Sequence, residues 1–579
     1  MRSSYLPLAV WFVSLAACHA SAPAQPAAPG PPALAPTPPS VSAADEVPPP
    51  RGDGRLPALA RPERYALALD VDPAMDRFRG KVSIDVSVLS ATSHIVLHGR
   101  SLHVTEVTAT TSAGTLPGTA VARTSHGGVT PEELVLSFPA ALSPGHVRLG
   151  IAYDAPFDGE LSGLYRVKEG EKWYAFTQFE STAARRAFPC FDEPGYKVPI
   201  ELHVTAPNGT IAVANMPELS RAASGAGTRF DFAVTPPLPT YLLALAVGDF
   251  DVREGAKSPV PIRLVTVKGK SALGESALEA AAGLVKQLGD YFALPYPFPK
   301  LDLVAVPDFA AGAMENPGLV TFREEIILLD PAHPSPQSKR FEAVVIAHEL
   351  AHIWFGDLVT MKWWDDVWLN EGFASWMEVK ATDLWRPEYA TRPGAAADDT
   401  RVMDTDGLSS SHPIRQRVTS TSEIEEMFDG ISYAKASAVL RMIEQWIGPE
   451  TMQKGVREYI RAHQWQNADA TELLAALDQT SGRDVSGMAA TFIDRPGVPS
   501  VEVKATCGGG KLSLGLTQSA WRPLGLASRS EPEAWRIPVC VETAGSANAK
   551  AALATSCTEL EEAHGTLDLA AQVDRKSVV

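Results

Sequence analysis

The sequence predicts a multidomain α+β protein: an antiparallel β domain first, a mostly helical domain in the middle and a small β-sandwich at the end. Three observations carry this. Between about residues 57 and 250, short runs such as 65–71, 80–88 and 146–153 alternate apolar and polar residues, with turn residues between them. From residue 273 onward apolar residues recur at helical spacing, most clearly over 341–355. After Gly497 the alternation returns. A length of 579 residues leaves room for several such units. The expected boundaries are 1–17, 18–55, 56–253, 254–496 and 497–579.

Residues 1–17 are not expected to be part of the fold. Arg2 gives a charged start, and 6–17 is an apolar run too short to span a membrane as a mature helix. It ends Leu15-Ala16-Ala17-Cys18, which resembles the lipobox of bacterial lipoproteins. That resemblance implies acylation of Cys18, export, and anchoring in the bacterial cell envelope, by multiple acyl chains if the anchor is to hold. An ordinary secretory signal is the other reading. Residues 21–50 hold eleven prolines and no lysine or arginine, a composition that builds no core and reads as a tether over 18–55. The composition is otherwise that of a soluble globular protein, 45% hydrophobic and 21% charged. The net charge of −17 argues against nucleic acid as a partner.

Within the β domain, Gln178 and Glu180 sit at the end of an extended run, followed by Ala184-Arg-Arg-Ala-Phe-Pro-Cys-Phe-Asp-Glu-Pro194. Residues 273–295 read as a helix and 301–306 as an apolar strand. Gly312-Ala313-Met314-Glu315-Asn316 follows, and then a second strand over 319–322. A glycine-started loop at a strand edge can offer backbone groups to an extended peptide, and Glu315 supplies a carboxylate for a free α-ammonium.

The chemistry is concentrated in the next helix, with Ser338 as the expected N-cap and Gly356 as the stop. His348 and His352 are four residues apart and project from one face, one turn above the other. Glu349 lies about 100° round the helix, beside a shared metal without being forced onto it. This H-E-x-x-H arrangement holds zinc, with Glu349 as general base. Alone it is a short pattern that recurs by chance. A third ligand strengthens it: Glu371, in Asn370-Glu-Gly-Phe-Ala, falls on the first turn of a second helix expected over 369–380. Two histidines and one carboxylate leave a zinc position open, as in a catalytic site.

Residues 386–432 show turn residues and little periodicity. A helix is expected from Ser432, with Tyr433 at its head. Further helices follow over 450–463 and 471–480. Of the five cysteines, Cys507, Cys540 and Cys557 cluster in the last domain. Cys540–Cys557 is the pairing guessed, although three pairings are open.

His348-Glu349-x-x-His352, eighteen residues, and then Glu371 in its Asn-Glu-Gly-Phe-Ala context resembles the gluzincin aminopeptidases, the family of aminopeptidase N and leukotriene-A hydrolase. The Gly312–Asn316 run and the 184–194 run match it too. The resemblance implies a thermolysin-like catalytic domain and one zinc ion per chain on His348, His352 and Glu371. It implies Glu349 and Tyr433 as catalytic residues. Gln178, Glu180, Gly312, Ala313, Met314, Glu315 and Asn316 become the binding site for peptides with a free N-terminus. Two departures stand out. Ala436 occupies a place where glycine is usual, and the helical C-terminal domain of most relatives is not expected here. Two other functions are open: an epoxide hydrolase with residual peptidase activity, and an inactive zinc- and peptide-binding surface lipoprotein.

Overall fold

The computed structural model describes residues 46–123, 131–333, 335–508, 511–523, 534–544 and 553–569. The expected signal segment, Cys18 and the tether as far as residue 45 lie outside the described residues. The tether's expected end is corrected, because residues 46–55 lie on the folded body. Arg123 Nη1 donates to Pro48 O at 2.7 Å, and His98 Nε2 donates to Gly54 O at 3.0 Å. The Arg55 guanidinium sits 4.3 Å over the Trp363 ring. Prolines are no obstacle here, since an extended segment needs no ladder of N–H donors.

Strands β1 (Ala60–Asp70) and β2 (Arg77–Val88) lie inside a ten-stranded sheet. Tyr65, Leu67 and Leu69 of β1 alternate inward and meet Val82, Ile84 and Val86 of β2 in one hydrophobic core. The expectation of an antiparallel sheet holds with one exception: β1 pairs in parallel with the strand Ile200–Pro207. The chain between them is long enough for the crossover that a parallel pair requires. Strand β3 (Lys172–Gln178) belongs to a second, four-stranded sheet. The 184–194 run then builds a buried lock behind it. Arg185 Nε donates to Asp192 Oδ2 at 2.9 Å, and Thr240 Oγ1 donates to Asp192 Oδ1 at 2.6 Å.

A mixed five-stranded sheet follows. It contains Phe250–Glu254, Ile262–Val267, β4 (Leu301–Val306), β5 (Ala313–Met314) and β6 (Leu319–Arg323), with β5 at one edge. The boundary expected at 253/254 falls inside the strand Phe250–Glu254, which pairs into this sheet. All six residues of β4 are buried, as befits a strand with parallel neighbours on both sides.

Helices α1 (Glu275–Phe292), α2 (Pro336–His352) and α3 (Trp368–Trp385) pack against one another. Helix α2 starts earlier than expected: Ser335, not Ser338, is the N-cap, and its side chain accepts from Ser338 N at 3.3 Å. Pro336 in the first turn, where a missing N–H costs nothing, explains the shift. The segment expected to be irregular contains helix α4 (Arg392–Asp406). Only Val402 and Asp406 of it are buried, so it shows no apolar stripe. A π-helical turn over Ile431–Lys435 runs into α5 (Ala436–Ile447). The helices Pro449–His463 and Ala470–Ser481 agree with expectation, and Val485–Ile493 is an addition to it.

Toward the C-terminus, Pro499–Gly508, Lys511–Ala520 and His564–Leu569 form one small sheet, and Ile537–Ala544 pairs with Leu553–Leu560. Leu514, Leu516 and Trp535 share a core with the helices of the middle domain. Cys540 lies opposite Cys557 in register and is disulfide-bonded to it, as guessed. Among the described residues no helix is long and apolar enough to cross a membrane.

Candidate active site

Helices α2 and α3 bring His348, His352 and Glu371 together. One ligand atom from each lies within 4.8 Å of the others. Glu371 Oε2 is 3.3 Å from His348 Nε2 and 3.4 Å from His352 Nε2. The other ring nitrogens are engaged: His348 Nδ1 is 2.7 Å from Glu378 Oε2, and His352 Nδ1 is 3.2 Å from Phe355 O. Both Nδ1 atoms then carry the proton and donate, which leaves both Nε2 lone pairs for a cation. Glu378 went unrecognised in the sequence. It lies seven residues after Glu371, two turns along one helix face, and that spacing could have found it. Glu378→Ala is expected to weaken metal binding about 10- to 100-fold, measured by competition with a chromogenic chelator.

A glycine closes the turn after α2. Gly356 adopts φ +138°, and a Cβ there would stand 3.4 Å from His352 Nδ1. Gly372 matters equally. A Cβ built on it would meet the Ala436 methyl at 2.4 Å and Ser432 O at 3.1 Å. The methyl of Ala436, which departs from the usual glycine, is thus accommodated by the bare backbone of Gly372. Gly372→Ala is expected to overpack this contact by about 1–3 kcal/mol. It should lower both Tm and kcat, and unchanged values of both would show that the contact yields freely.

Tyr433 lies over His348, with ring centroids 6.0 Å apart and planes 11° from parallel, and its phenol feels the Glu371 carboxylate. Burial, then the carboxylates of Glu371, Glu180 and Glu315, push its phenol well above the usual 10. It remains a proton donor. Its turn is held on two sides. Asp429 Oδ1 accepts from Ile431 N and Ser432 N at 2.9 and 3.2 Å, and Asp429 Oδ2 is 3.0 Å from His412 Nε2. Lys435 Nζ donates to Arg495 O and lies 2.8 Å from Asp406 Oδ2, off the hydrogen-bonding direction. Asp406 Oδ1 in turn accepts from Ser411 Oγ at 2.7 Å and from Gly497 N at 2.8 Å.

Glu180 and Glu315 converge on the same centre, with carboxylate oxygens within 4.8 Å of one another and of Glu371. Oε1 of Glu180, Oε1 of Glu315 and Oε1 of Gln178 are buried without a hydrogen-bond partner. Gln178 Nε2 points to Met314 Sδ at 3.4 Å. Ala313 and Met314 form the edge strand β5, and Gly312 O accepts from Arg323 N. Asn316 is turned toward β6, where its Nδ2 donates to Thr321 Oγ1 at 3.3 Å, and it does not join the carboxylates.

Buried, orphaned carboxylates of one sign are costly unless positive charge sits among them. The same field acts on the imidazoles. Burial opposes the charged form of His352, yet Glu315 and Glu371 raise it to about 9. Burial alone would raise Glu371, but the two imidazoles hold it far below the usual carboxylate range. Glu349 is pushed up by burial to about 8, against the pull of His348 and His352. A field that draws protons onto two histidines would also draw a dication, and the donor set of two imidazoles and one carboxylate fits zinc. The neighbouring pair, Glu180 and Glu315, fits an ammonium.

Comparison with known proteins agrees with this arrangement. Residues 276–492 match the family model described as "Peptidase family M1 domain", and residues 61–242 match "Peptidase M1 N-terminal domain". Aminopeptidase M1 of Arabidopsis thaliana is 38% identical over 497 residues, covering 84% of this chain and 55% of that protein. The puromycin-sensitive aminopeptidase of Caenorhabditis elegans is 36% identical over 503 residues, covering 85% of this chain and 52% of that protein. Endoplasmic reticulum aminopeptidase 1 of Homo sapiens is 36% identical over 480 residues, covering 78% and 50% respectively. The chain spans about half the length of these relatives.

Proposed function

The chain belongs to peptidase family M1, and on that premise we propose that it is a zinc-dependent aminopeptidase that releases N-terminal residues from peptides one at a time. One observation carries the reading: a two-histidine, one-carboxylate triad stands directly beside two buried carboxylates with unpartnered oxygens. A metal-binding protein needs the triad alone. An aminopeptidase needs both, because it must place a free ammonium at a fixed distance from the bond it cuts.

His348, His352 and Glu371 would hold one zinc ion per chain. The chemistry supplied by zinc in that place is acidification of a water molecule and polarisation of the scissile carbonyl. Glu180 and Glu315 receive the substrate's ammonium, with Gln178 Oε1 as a further acceptor. The edge strand β5 offers backbone groups to the extended peptide. Glu349 takes a proton from the attacking water and returns it to the leaving amine. Tyr433 Oη donates to the carbonyl oxygen as that carbon becomes tetrahedral. The C-terminal strands complete a small sandwich in this reading. The apolar run ending at Cys18 supports an exported, lipid-anchored protein, which mass spectrometry of the N-terminal peptide would test.

The activity is tested with aminoacyl anilides, their N-acetylated counterparts and a chelator. Release from free-amine substrates alone, abolished by chelation and restored by zinc, is the expected result. Equal turnover of acetylated and free substrates would remove Glu180 and Glu315 from their role.

A further inference from the structure

A cavity of about 730 Å³ opens beside His348 and Tyr433, and neither Glu180 nor Glu315 is part of its lining. Its wall is the outer face of α2, with Arg340, Phe341 and Val344, together with α4 and the Tyr433 turn. If the ammonium lies at Glu180 and Glu315 and the cut bond at Tyr433, the leaving part of the peptide enters this cavity.

The charges in its wall do not cancel evenly. Each acidic side chain there already has a partner: Glu378 has His348, Asp429 has His412, Asp398 has Arg401 and Asp399 has Arg441. Arg340 has no carboxylate partner among the described residues. It is exposed, and its one bond is a long one of 3.5 Å from Nη1 to Tyr389 O. Tyr389 stands just before α4, whose first turn, with Gly394 and Ala395, lines the same cavity. The positive end of that helix therefore adds to the field of the guanidinium. Phe341, 55% exposed, offers an apolar surface between Arg340 and the metal-binding residues.

We infer that Arg340 captures a carboxylate in the leaving portion of the substrate, so that peptides of a limited length with a free C-terminus are preferred. This rests on the aminopeptidase reading above. Arg340 precedes His348 by eight residues, roughly 12 Å along the helix axis, and its side chain leans further toward the helix start. An extended peptide advances about 3.3 Å per residue. The carboxylate thus lies roughly four to five residues beyond the cut bond, which places the optimum at peptides of about five or six residues.

The experiment compares alanine-rich peptides of two to nine residues as free acids and as C-terminal amides, on the zinc-loaded full chain. Amidated hexapeptides with glutamate near the C-terminus separate a side-chain carboxylate from the terminal one. The free acid is expected to show about two- to fivefold lower KM than the amide near the optimum length and no advantage at two residues. Arg340→Ala should bring the acid-to-amide ratio to one, and Arg340→Lys should retain part of it. A ratio of one at every length in the native chain, or a ratio that persists in Arg340→Ala, overturns the inference. Aminoacyl anilides reach no further than the cut bond, so their turnover tests the aminopeptidase reading separately. Anilide turnover without acid preference defeats the inference alone, and absence of anilide turnover defeats both.

Discussion

Glu349→Gln is expected to lower kcat on aminoacyl anilides by about 10²–10⁴ while the protein still binds one zinc per chain. The two halves of this result have separate origins. On the proposed reading metal affinity resides in His348, His352 and Glu371, whose ligand atoms cluster without help from Glu349. Turnover needs a base beside the attacking water. Glu349 is 6% exposed, follows the first ligand directly and is rotated about 100° from it round α2. Glutamine keeps its size and one oxygen but cannot take a proton. Kinetics with parallel metal analysis checks both halves. Near-native turnover in the glutamine variant would falsify the assignment of the base, and loss of zinc would show that Glu349 supports the metal as well.

Tyr433→Phe should lower kcat by about 10²–10³ and leave KM nearly as it was. The hydroxyl acts where charge develops, on an oxygen that becomes anionic only as the carbonyl is attacked, so substrate binding draws little on it. Phenylalanine retains the ring that lies 6.0 Å from His348, and the Asp429 and Lys435 contacts that hold the turn belong to other residues. Steady-state kinetics on one anilide and one tripeptide is sufficient. A rise in KM with constant kcat would make Tyr433 a binding residue instead.

The parts of this site that could be read from sequence are those where chemistry and spacing coincide. His348 and His352 at one turn's separation, Glu371 in the next helix and the 301–306 strand, apolar but for Asp302, each reflect a single local constraint. The remainder depends on neighbours far away in the chain. Helix α4 escaped because it buries almost nothing, and a helix without a buried face leaves no period to read. Residues 46–55 resembled tether because their contacts, such as Gly54 to His98 and Arg55 to Trp363, are made by backbone groups and a cation rather than by an apolar pattern. The Cys540–Cys557 pair required the strand register, which sequence does not state. Gln178 and Glu180 read as ordinary strand-end residues until folding sets Glu180 against Glu315 and Gln178 against Met314. The value of Gly372 appears only when Ala436 is seen to occupy the space its side chain would take.

Asp406 carries a consequence for how this protein can be divided. It touches Lys435, two residues past Tyr433, and Gly497, the first residue of the C-terminal strand region. Lys435 reaches forward to Arg495 O in the same connection. The link between the helical body and the C-terminal strands is therefore also one wall of the socket that aims the tyrosine. Cutting the chain after residue 496 would strip Asp406 of its Gly497 donor and leave Arg495, the lysine's acceptor, next to a new chain end, in a region where neither Asp406 nor Lys435 meets water readily. The last strands are thus not a detachable appendage: on the proposed mechanism, a chain ended at residue 496 should still bind metal and lose the alignment of Tyr433.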